Sequence, residues 1–442
     1  MERGYWGVLV RSLATGETLA SVNARKLMMP ASTLKVVTLA AAAERLGWEY
    51  SYETRIVADG TAGGDTLEGN LVIVGNGDPS LDRQALDLWA TQIRTLGIVK
   101  VTGTVLADAR AFSGEGLGFG WSWDDLAYYY AAPIAAAQFR ENAVDVTLRP
   151  GPSPGSPAAY ELMPAGINGL QVENHMTTGA ATTAPEFVAR RGPHSPAVVL
   201  EGVVPVGSTP VTRSLSVHDP ARYLAAAFAE ALLAHGVALG SRPPIDLPSN
   251  PIGDASRASL LVTYRSAPLR VLARRLMEVS QNQYAETLIK TVGAQAGAPT
   301  FDGGLKAVEA VLASWGIAAD DTILRDGSGL SRYDLVTPES FVQVLTHMYG
   351  DAAQRMPFFS SLNVAGQSGT IAARLKNTPA AGNARAKDGA MSGVRALCGV
   401  ASTADDELLA FAILANNFAV PGPTVTAAID AIVVRLASWS RH

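Results

Sequence analysis

The pattern of apolar and polar positions divides this chain into three stretches. In the first, short apolar runs at residues 8–10 and 18–20 flank a turn at Thr15-Gly16, which predicts a β-hairpin. An alanine-rich apolar stretch then extends from Pro30 to Gly47. Because proline suits the first turn of a helix and glycine suits its end, this stretch predicts a helix.

The middle stretch, from about residue 50 to residue 250, is dominated by short β-like runs between loops rich in glycine and proline. Helices are predicted there only at residues 81–96 and 220–235. We therefore expect a mostly-β region that forms two small domains. Its predicted strands lie at residues 71–74, 101–107, 144–148 and 197–204.

A helical period returns in the last stretch, after about residue 259. A segment from Pro268 to about residue 292 carries apolar side chains at positions that share one helix face, including Leu269, Leu272 and Leu276. The remaining predicted elements are helices at residues 304–315, 338–349 and 423–439 and strands at residues 394–401 and 408–415.

Composition fits a multidomain globular protein. The 442 residues are 48% hydrophobic and 17% charged, which is enough apolar material for two or three domains. A formal net charge of −5 and the lack of basic runs argue against nucleic-acid binding. No apolar run reaches the ~18 residues of a transmembrane helix. Residues 1–6 do not resemble a secretory signal, so the chain is either cytoplasmic or has had a leader removed.

Cysteine and histidine usage excludes several kinds of site. A single cysteine, Cys398, excludes an intrachain disulfide, and its apolar flanks favour a buried structural thiol. No His-x-x-x-His spacing occurs, so a zinc enzyme is not expected, and neither is a Ser-His-Asp hydrolase. The sequence predicts no metal and no cofactor. The histidines are His175, His194, His218, His235, His347 and His442.

The tetrapeptide Ser32-Thr33-Leu34-Lys35 opens the predicted helix at 30–47. Residues three apart on a helix share a face, so Ser32 and Lys35 lie one above the other. A serine hydroxyl becomes a good nucleophile when a neighbouring base takes its proton, and a lysine whose pKa is lowered can be that base. The alternative is a helix cap beside a solvated lysine.

Two later elements bear polar residues of the same kind. Ser280 and Asn282 lie in the segment that starts at Pro268, and because residues two apart diverge on a helix, the helix must break there for both to face one cleft. The alternative is a polar helix surface. Lys387-Asp388-Gly389-Ala390 precedes the last strand pair, where an edge strand could pair with an extended peptide. The alternative is a charged turn.

In order, Ser-x-x-Lys, Ser-x-Asn and Lys-x-Gly resemble the three motifs of penicillin-recognising serine enzymes. The long insertion between the first and second motifs is similar to that of class C, low-molecular-mass penicillin-binding proteins, which are D-alanyl-D-alanine carboxypeptidases and endopeptidases. Further stretches that resemble this family are residues 75–81, 121–133, 326–331, 336–338, 368–371 and 385–387.

The resemblance implies an α/β fold of the transpeptidase and β-lactamase type, with an antiparallel sheet flanked by helices. Residues 1–54 and 251–442 would form the serine peptidase domain, and residues 55–250 would form the inserted mostly-β domains. It also implies a periplasmic or other extracytoplasmic location, peptidoglycan stem peptides as substrates and β-lactams as covalent ligands.

The resemblance assigns catalytic roles to five residues. Ser32 would attack the carbonyl of a D-Ala-D-Ala or other D-linked bond, giving an acyl-enzyme that water cleaves. Lys35 would be the base for acylation. Ser280 would pass the proton to the leaving amine, with Lys387 tuning it, and Asn282 would orient Lys35 and the substrate.

The substrate-binding strand departs from the family pattern. The oxyanion hole would be the N–H groups of Ser32 and Ala390, and Asp388 and Gly389 would contact the substrate. The family usually has Lys-Thr-Gly followed by a hydroxyl residue, and these hydroxyls hold the terminal carboxylate. Because like charges about 4 Å apart repel by ~1–4 kcal/mol, Asp388 would weaken binding of free-carboxylate ends and of penicillin. Pairing with Arg395 or Lys387 would soften this effect.

Two alternatives to peptidoglycan cleavage remain at this point. One is an esterase, β-lactamase or D-amino-acid peptidase that uses the same residues, which Asp388 makes more plausible. The other is a non-catalytic relative that binds peptidoglycan. The second predicts a missing nucleophile or base, whereas Ser32, Lys35 and Lys387 are all present.

Overall fold

The computed structural model of the protein describes residues 3–244, 246–253 and 258–441, so His442 lies outside the described residues. These residues form two compact units. The first unit comprises the described residues of Met1–Ser51, Gly118–Gly120 and Ala267–His442. The second comprises those of Tyr52–Leu117 and Trp121–Ser266.

The first unit begins with the predicted hairpin and helix. Strands β1 (Tyr5–Ser12) and β2 (Thr18–Val22) pair antiparallel. The helix starts as a 3₁₀ turn over Ala31–Thr33 and continues as α1 (Leu34–Leu46). Gly47 ends it with a φ of 78°, a left-handed value that glycine adopts without steric cost.

The second unit is mostly β, as predicted for this part of the chain, and the two α-helices among its described residues match the predicted positions. Trp89 of the first helix and Phe228 of the second meet edge to face at 5.6 Å in its core. Its elements are β3 (Glu53–Gly63), β4 (Thr66–Val74), α2 (Arg83–Thr95), β5 (Lys100–Val101), β6 (Val105–Asp108), β7 (Ala143–Arg149), β8 (Ala159–Met163), β9 (Gln171–Gly179), β10 (Glu186–Arg190), β11 (Ala197–Pro205), β12 (Val211–Ser216), α3 (Pro220–Ala234), β13 (Ala238–Leu239) and β14 (Ala258–Arg265).

Three sheets organise these strands. The largest has the order β13-β5-β4-β3-β14, with β6 also paired to β4. The other two have three strands each, in the orders β10-β11-β9 and β12-β7-β8.

The remainder of the first unit is helical and then β. Its elements are α4 (Leu269–Glu278), α5 (Asn282–Gln295), α6 (Phe301–Ser314), β15 (Thr322–Ile323), β16 (Leu335–Val336), α7 (Pro338–Gly350), α8 (Ala352–Ser361), β17 (Asn363–Val364), β18 (Arg385–Met391), β19 (Val394–Ser402), β20 (Leu408–Asn416) and α9 (Gly422–Ala437). The segment predicted as one helix from Pro268 to residue 292 is therefore two helices, because the chain turns at Ser280 with a φ of 59°.

An antiparallel sheet of order β17-β18-β19-β20-β1-β2 forms the centre of the first unit. Helix α9 packs against β19 and β20, while α7 contacts β1, β19 and β20. Burial on both faces explains why β20 is an unbroken apolar run rather than an alternating one. Cys398 is fully buried in β19, as its flanks predicted, and burial raises the pKa of its thiol.

Strand β18 carries the third motif, and its pairing leaves part of one edge uncovered. It pairs with β19 along its whole length, with Lys387 opposite Cys398. On the other side, β17 pairs only with Arg385 and Ala386. In the described part of the chain, no helix is both long and apolar enough to span a bilayer.

Candidate active site

Ser32 lies in the 3₁₀ turn that leads into α1, and Lys35 lies in the first turn of α1. Ala31, directly before Ser32, has a φ of 46°. A left-handed conformation costs a non-glycine residue roughly 1–2 kcal/mol, so neighbouring groups must hold it in place. Gly329 provides such a neighbour, because a Cβ there would lie 1.9 Å from the Ala31 carbonyl oxygen. The turn that presents Ser32 is therefore locked by close backbone packing.

The Lys35 ammonium is fully buried and has three hydrogen-bond acceptors. Its Nζ lies 2.9 Å from Ser32 Oγ, 2.7 Å from Asn282 Oδ1 and 2.9 Å from the Ser328 carbonyl oxygen. The first and second sequence motifs therefore meet at one nitrogen atom.

The surroundings of Lys35 favour its neutral form. Burial lowers its pKa from the usual 10.5, and the charge of Lys387 lowers it further, to about 7. Glu286, Asp326 and Asp388 oppose these effects and raise the pKa. A pKa near 7 leaves a substantial fraction of Lys35 uncharged at neutral pH, which a proton acceptor requires.

The turn between α4 and α5 positions the second motif. Ser280 is half-buried in this turn, and its φ of 59° redirects the chain. The Gln281 side chain then accepts a hydrogen bond from Gln283 N, which caps α5. Asn282 becomes the first residue of α5, with its amide oxygen on Lys35. This break is the one that the spacing of Ser280 and Asn282 requires.

Lys387 and Asp388 form an ion pair between sequence neighbours. Lys387 Nζ donates to Asp388 Oδ1 at 2.9 Å and to the Asp388 carbonyl oxygen at 2.6 Å. The Thr370 hydroxyl donates to the same Asp388 Oδ1. Arg395, the other cation expected near Asp388, instead donates to the carbonyl oxygens of Met391 and Val394.

This ion pair keeps Asp388 negatively charged. Burial acts to raise its pKa, but the charge of Lys387 and the hydrogen bond from Thr370 lower it to about 2. Burial also lowers the pKa of Lys387, while Asp388 acts in the opposite direction. The positive charge of Lys387 and the negative charge of Asp388 therefore offset each other on β18, the strand that carries the third motif.

Gly389 brings β18 against the turn of Ser32. A Cβ at Gly389 would lie 2.7 Å from the Pro30 carbonyl oxygen and 3.1 Å from Ser32 N, so a larger residue would push the strand away. Ala390 follows directly and is exposed. The backbone N–H groups named as the oxyanion hole thus belong to two segments in close contact.

Residues 326–331 resemble the family in sequence, but the sequence does not indicate that they contact the site. Ser328 supplies a carbonyl acceptor to Lys35, and Glu286 accepts hydrogen bonds from the loop that contains it. The available signal was the spacing of Asn282 and Glu286, which are four apart on one helix and share a face. Within residues 3–244, 246–253 and 258–441, no cluster of His, Cys, Asp and Glu could hold a metal ion.

Comparison with known proteins identifies relatives along the whole chain. The model of the D-Ala-D-Ala carboxypeptidase 3 (S13) family matches residues 1–439. A D-alanyl-D-alanine carboxypeptidase of Actinomadura is 36% identical, over 100% of this chain and 83% of that protein.

Solved structures give the same result. Penicillin binding protein 4 of Haemophilus influenzae has a TM-score of 0.87 at 27% identity, covering 99% of this chain and 98% of that one. A second structure of it, in complex with a β-lactam, has a TM-score of 0.82 at 26% identity, with the same coverage. The predicted α/β fold and the resemblance to penicillin-binding proteins are thereby confirmed. This protein belongs to the D-Ala-D-Ala carboxypeptidase 3 (S13) family of serine hydrolases.

Proposed function

We propose that this protein hydrolyses D-Ala-D-Ala bonds in peptidoglycan stem peptides through an acyl-enzyme on Ser32. The observation that carries this proposal is the 2.9 Å contact of Ser32 Oγ with a fully buried Lys35 whose pKa is lowered to about 7. Family membership supplies the substrate class, since the family is named for cleavage of this bond.

Acylation starts with proton transfer within this pair. Neutral Lys35 takes the Ser32 hydroxyl proton as Oγ attacks the carbonyl carbon of the penultimate D-alanine. The N–H groups of Ser32 and Ala390 stabilise the resulting oxyanion. The C–N bond then breaks, Ser280 relays the proton from Lys35 to the departing amine, and terminal D-alanine leaves.

Deacylation uses water in place of the hydroxyl. Lys35 takes a proton from water, the hydroxide attacks the ester carbonyl, and Ser32 Oγ leaves with a proton returned from Lys35. Asn282 holds Lys35 by its amide oxygen throughout. Lys387 is buried with its charge paired to Asp388, and it lowers the pKa of Lys35.

The direct test of this proposal is release of D-alanine from a peptide ending in D-Ala-D-Ala. A matched peptide ending in L-Ala-L-Ala is the control, because the proposed site discriminates the configuration of the residue that is acylated. Release of the terminal alanine from the first peptide but not from the second supports the proposal. Cleavage of a p-nitrophenyl ester with no cleavage of the peptide would favour an esterase and contradict it.

The pH profile of hydrolysis should have an acidic limb near pH 7. The proton acceptor is neutral Lys35, whose pKa is lowered to about 7, so kcat/KM should fall about tenfold per pH unit below that value. Measurement of kcat/KM between pH 5 and pH 9 checks this. A rise of kcat/KM that continues undiminished to pH 9, as for an unperturbed lysine that titrates near pH 10, would contradict Lys35 as the base.

Asp388 is proposed as a residue that limits activity on free-carboxylate ends. Its negative charge stands where the family usually has a threonine hydroxyl, and its pairing with Lys387 withdraws that cation from a substrate carboxylate. Internal D-linked bonds whose leaving amine carries no adjacent free carboxylate are then favoured over chain ends.

The substitution Asp388→Thr tests this proposal. It should raise kcat/KM for a D-Ala-D-Ala peptide by about tenfold or more, because a like-charge repulsion is removed and Lys387 is released. Asp388→Asn is the matched control for charge at nearly constant size, and it should give part of the increase. An unchanged kcat/KM in both variants would end this proposal.

Two related proposals follow from the same chemistry. β-Lactams are proposed to acylate Ser32, in line with the β-lactam complex of the Haemophilus influenzae relative. Action on peptidoglycan places the protein outside the cytoplasmic membrane. The non-catalytic alternative is not favoured, since the nucleophile and the base are both present and in contact. The alternative activities are not favoured either, because the family and its relatives are named for D-Ala-D-Ala carboxypeptidase activity.

A further inference from the structure

The three acceptors around Lys35 Nζ do not have equal roles in catalysis. A neutral amine has two N–H groups and one lone pair, whereas the ammonium has three N–H groups. If Lys35 takes the proton of Ser32, its lone pair must point at Ser32 Oγ. Its two N–H groups must then be occupied by the other acceptors, Asn282 Oδ1 and the Ser328 carbonyl oxygen.

The Ser328 carbonyl is held in place by a buried carboxylate. Glu286 accepts hydrogen bonds from Gly327 N and Ser328 N, each at 2.8 Å, with one carboxylate oxygen for each. Glu286 is fully buried and lies one helical turn beyond Asn282 on α5. Successive turns of one helix therefore position both acceptors of Lys35, one directly and one through the loop.

The rest of this loop is also fixed by buried acids. Asp326 accepts from Gly329 N and Ser331 N, both at 2.7 Å, and Asp334 accepts from the backbone N–H groups of Arg325 and Asp326. Backbone N–H groups of residues 325–331 therefore donate hydrogen bonds to buried carboxylate oxygens. These contacts make the loop a rigid platform behind Lys35 rather than a mobile surface loop.

We infer that Glu286 is a positioning residue of the reaction, which holds the Ser328 carbonyl so that the lone pair of neutral Lys35 is directed at Ser32 Oγ. This inference rests on the proposed function, because it assumes Lys35 as the base. It concerns residues outside the three motifs, and it gives a role to the acid that is buried on α5.

Glu286 also acts on Lys35 through its charge. Both of its oxygens accept N–H groups, an arrangement that fits the ionised form, although burial and the nearby Asp326 raise its pKa. The charged groups that act on Lys35 are Lys387, which lowers its pKa, and Glu286, Asp326 and Asp388, which raise it. Neutralising Glu286 alone should therefore lower the pKa of Lys35.

The substitution Glu286→Gln tests both the positioning of the Ser328 carbonyl and the effect of the Glu286 charge on Lys35. The reaction that is followed is acylation by a fluorescent penicillin. An amide would place an NH₂ group against one backbone N–H, so the Ser328 carbonyl should shift and the acylation rate should fall by about 10- to 100-fold. The acidic limb of the pH profile should at the same time move to lower pH. A purely structural role predicts no such movement of the limb.

Two further variants serve as controls. Thr38→Val removes the 2.6 Å hydrogen bond from Thr38 Oγ1 to the Gly327 carbonyl without changing any charge, so the limb should stay in place. Glu286→Asp keeps the charge on a shorter side chain, so the rate should fall while the limb stays near its wild-type position. The acylation rate and the position of the acidic limb can both be measured at a constant temperature well below the unfolding temperature.

The outcomes are decisive in each case. A wild-type rate or an unmoved limb in a folded Glu286→Gln protein would overturn the inference. If that variant does not fold, a wild-type acylation rate in Glu286→Asp would overturn it. A different result would contradict the proposed substrate instead: the wild type is acylated normally by penicillin but releases no D-alanine from peptides. In that case the variants still decide the role of Glu286.

Discussion

Replacing Ser32 with alanine should reduce hydrolysis of a D-Ala-D-Ala peptide by ~10⁴-fold or more, since loss of a nucleophile leaves only binding and oxyanion stabilisation. The Oγ atom lies 2.9 Å from Lys35 Nζ, and no acyl-enzyme can form without it. The measurement is kcat/KM by release of D-alanine. Binding of the substrate should persist, because the residues that contact the peptide backbone are unchanged.

A matched control for this variant is Ser360→Ala, which removes the hydroxyl of an exposed serine on α8. It should keep wild-type activity. Thermal unfolding should be nearly the same for both variants, because the Ser32 side chain makes a single hydrogen bond, with Lys35, within the described part of the chain. Residual activity of Ser32→Ala within tenfold of wild type would contradict Ser32 as the nucleophile.

Lys35→Met should lower kcat/KM by ~10³-fold, the scale expected when a general base is removed. Methionine has nearly the volume of lysine but no proton acceptor, so the buried position is filled without a base. Lys35→Arg is the informative companion, because arginine keeps the positive charge and stays protonated at working pH. It should be as inactive as the methionine variant if deprotonation of Lys35 is required.

The control for these variants is Lys306→Met, at an exposed position on α6. It should change kcat/KM by less than twofold. An active Lys35→Arg variant would show that Lys35 contributes charge rather than proton transfer. That result would contradict the mechanism proposed for acylation, since arginine cannot act as the base.

The grouping of Ser32 and Lys35 could be predicted because it depends only on local geometry. Residues three apart at the start of a helix share a face whatever the rest of the chain does. The structure adds that Ser32 itself lies in a 3₁₀ turn after Ala31, whose positive φ is set by packing against Gly329. A contact with a residue almost 300 positions away cannot be read from local periodicity.

The break between α4 and α5, in contrast, could not be predicted from the local apolar pattern. Apolar periodicity continues through the segment from Pro268, so it predicts one helix, and only the need for Ser280 and Asn282 to face one cleft suggested an interruption. The structure has that interruption at Ser280. Function was here a better guide to the backbone than the hydrophobic pattern.

The contact of the Ser328 carbonyl oxygen with Lys35 had no signature in the sequence. The Ser328 carbonyl contacts Lys35, yet every residue has a carbonyl group, so nothing at that position marks it. Likewise, the partners of Asp388 depend on strand register and on a loop 18 residues away that brings in Thr370. Such contacts are set by tertiary packing, and they decide the protonation states on which the chemistry depends.

The two lysines of the site have different electrostatic roles. Lys387 has its charge paired with Asp388, and both are largely buried. The hydrogen-bond acceptors around Lys35 Nζ within the described residues are neutral, so burial and Lys387 shift its pKa downward. One ammonium is thereby kept as a fixed charge, while the other becomes a proton acceptor at neutral pH.

The most direct test of the account is the location of the covalent intermediate. The wild-type protein is incubated with penicillin at high concentration, its intact mass is measured, and the labelled peptide is mapped by fragmentation. We expect one added penicillin per chain on the peptide containing Ser32, and no addition to Ser32→Ala. A label on another residue, or the same mass increase in Ser32→Ala, would contradict the assignment of Ser32 as the nucleophile.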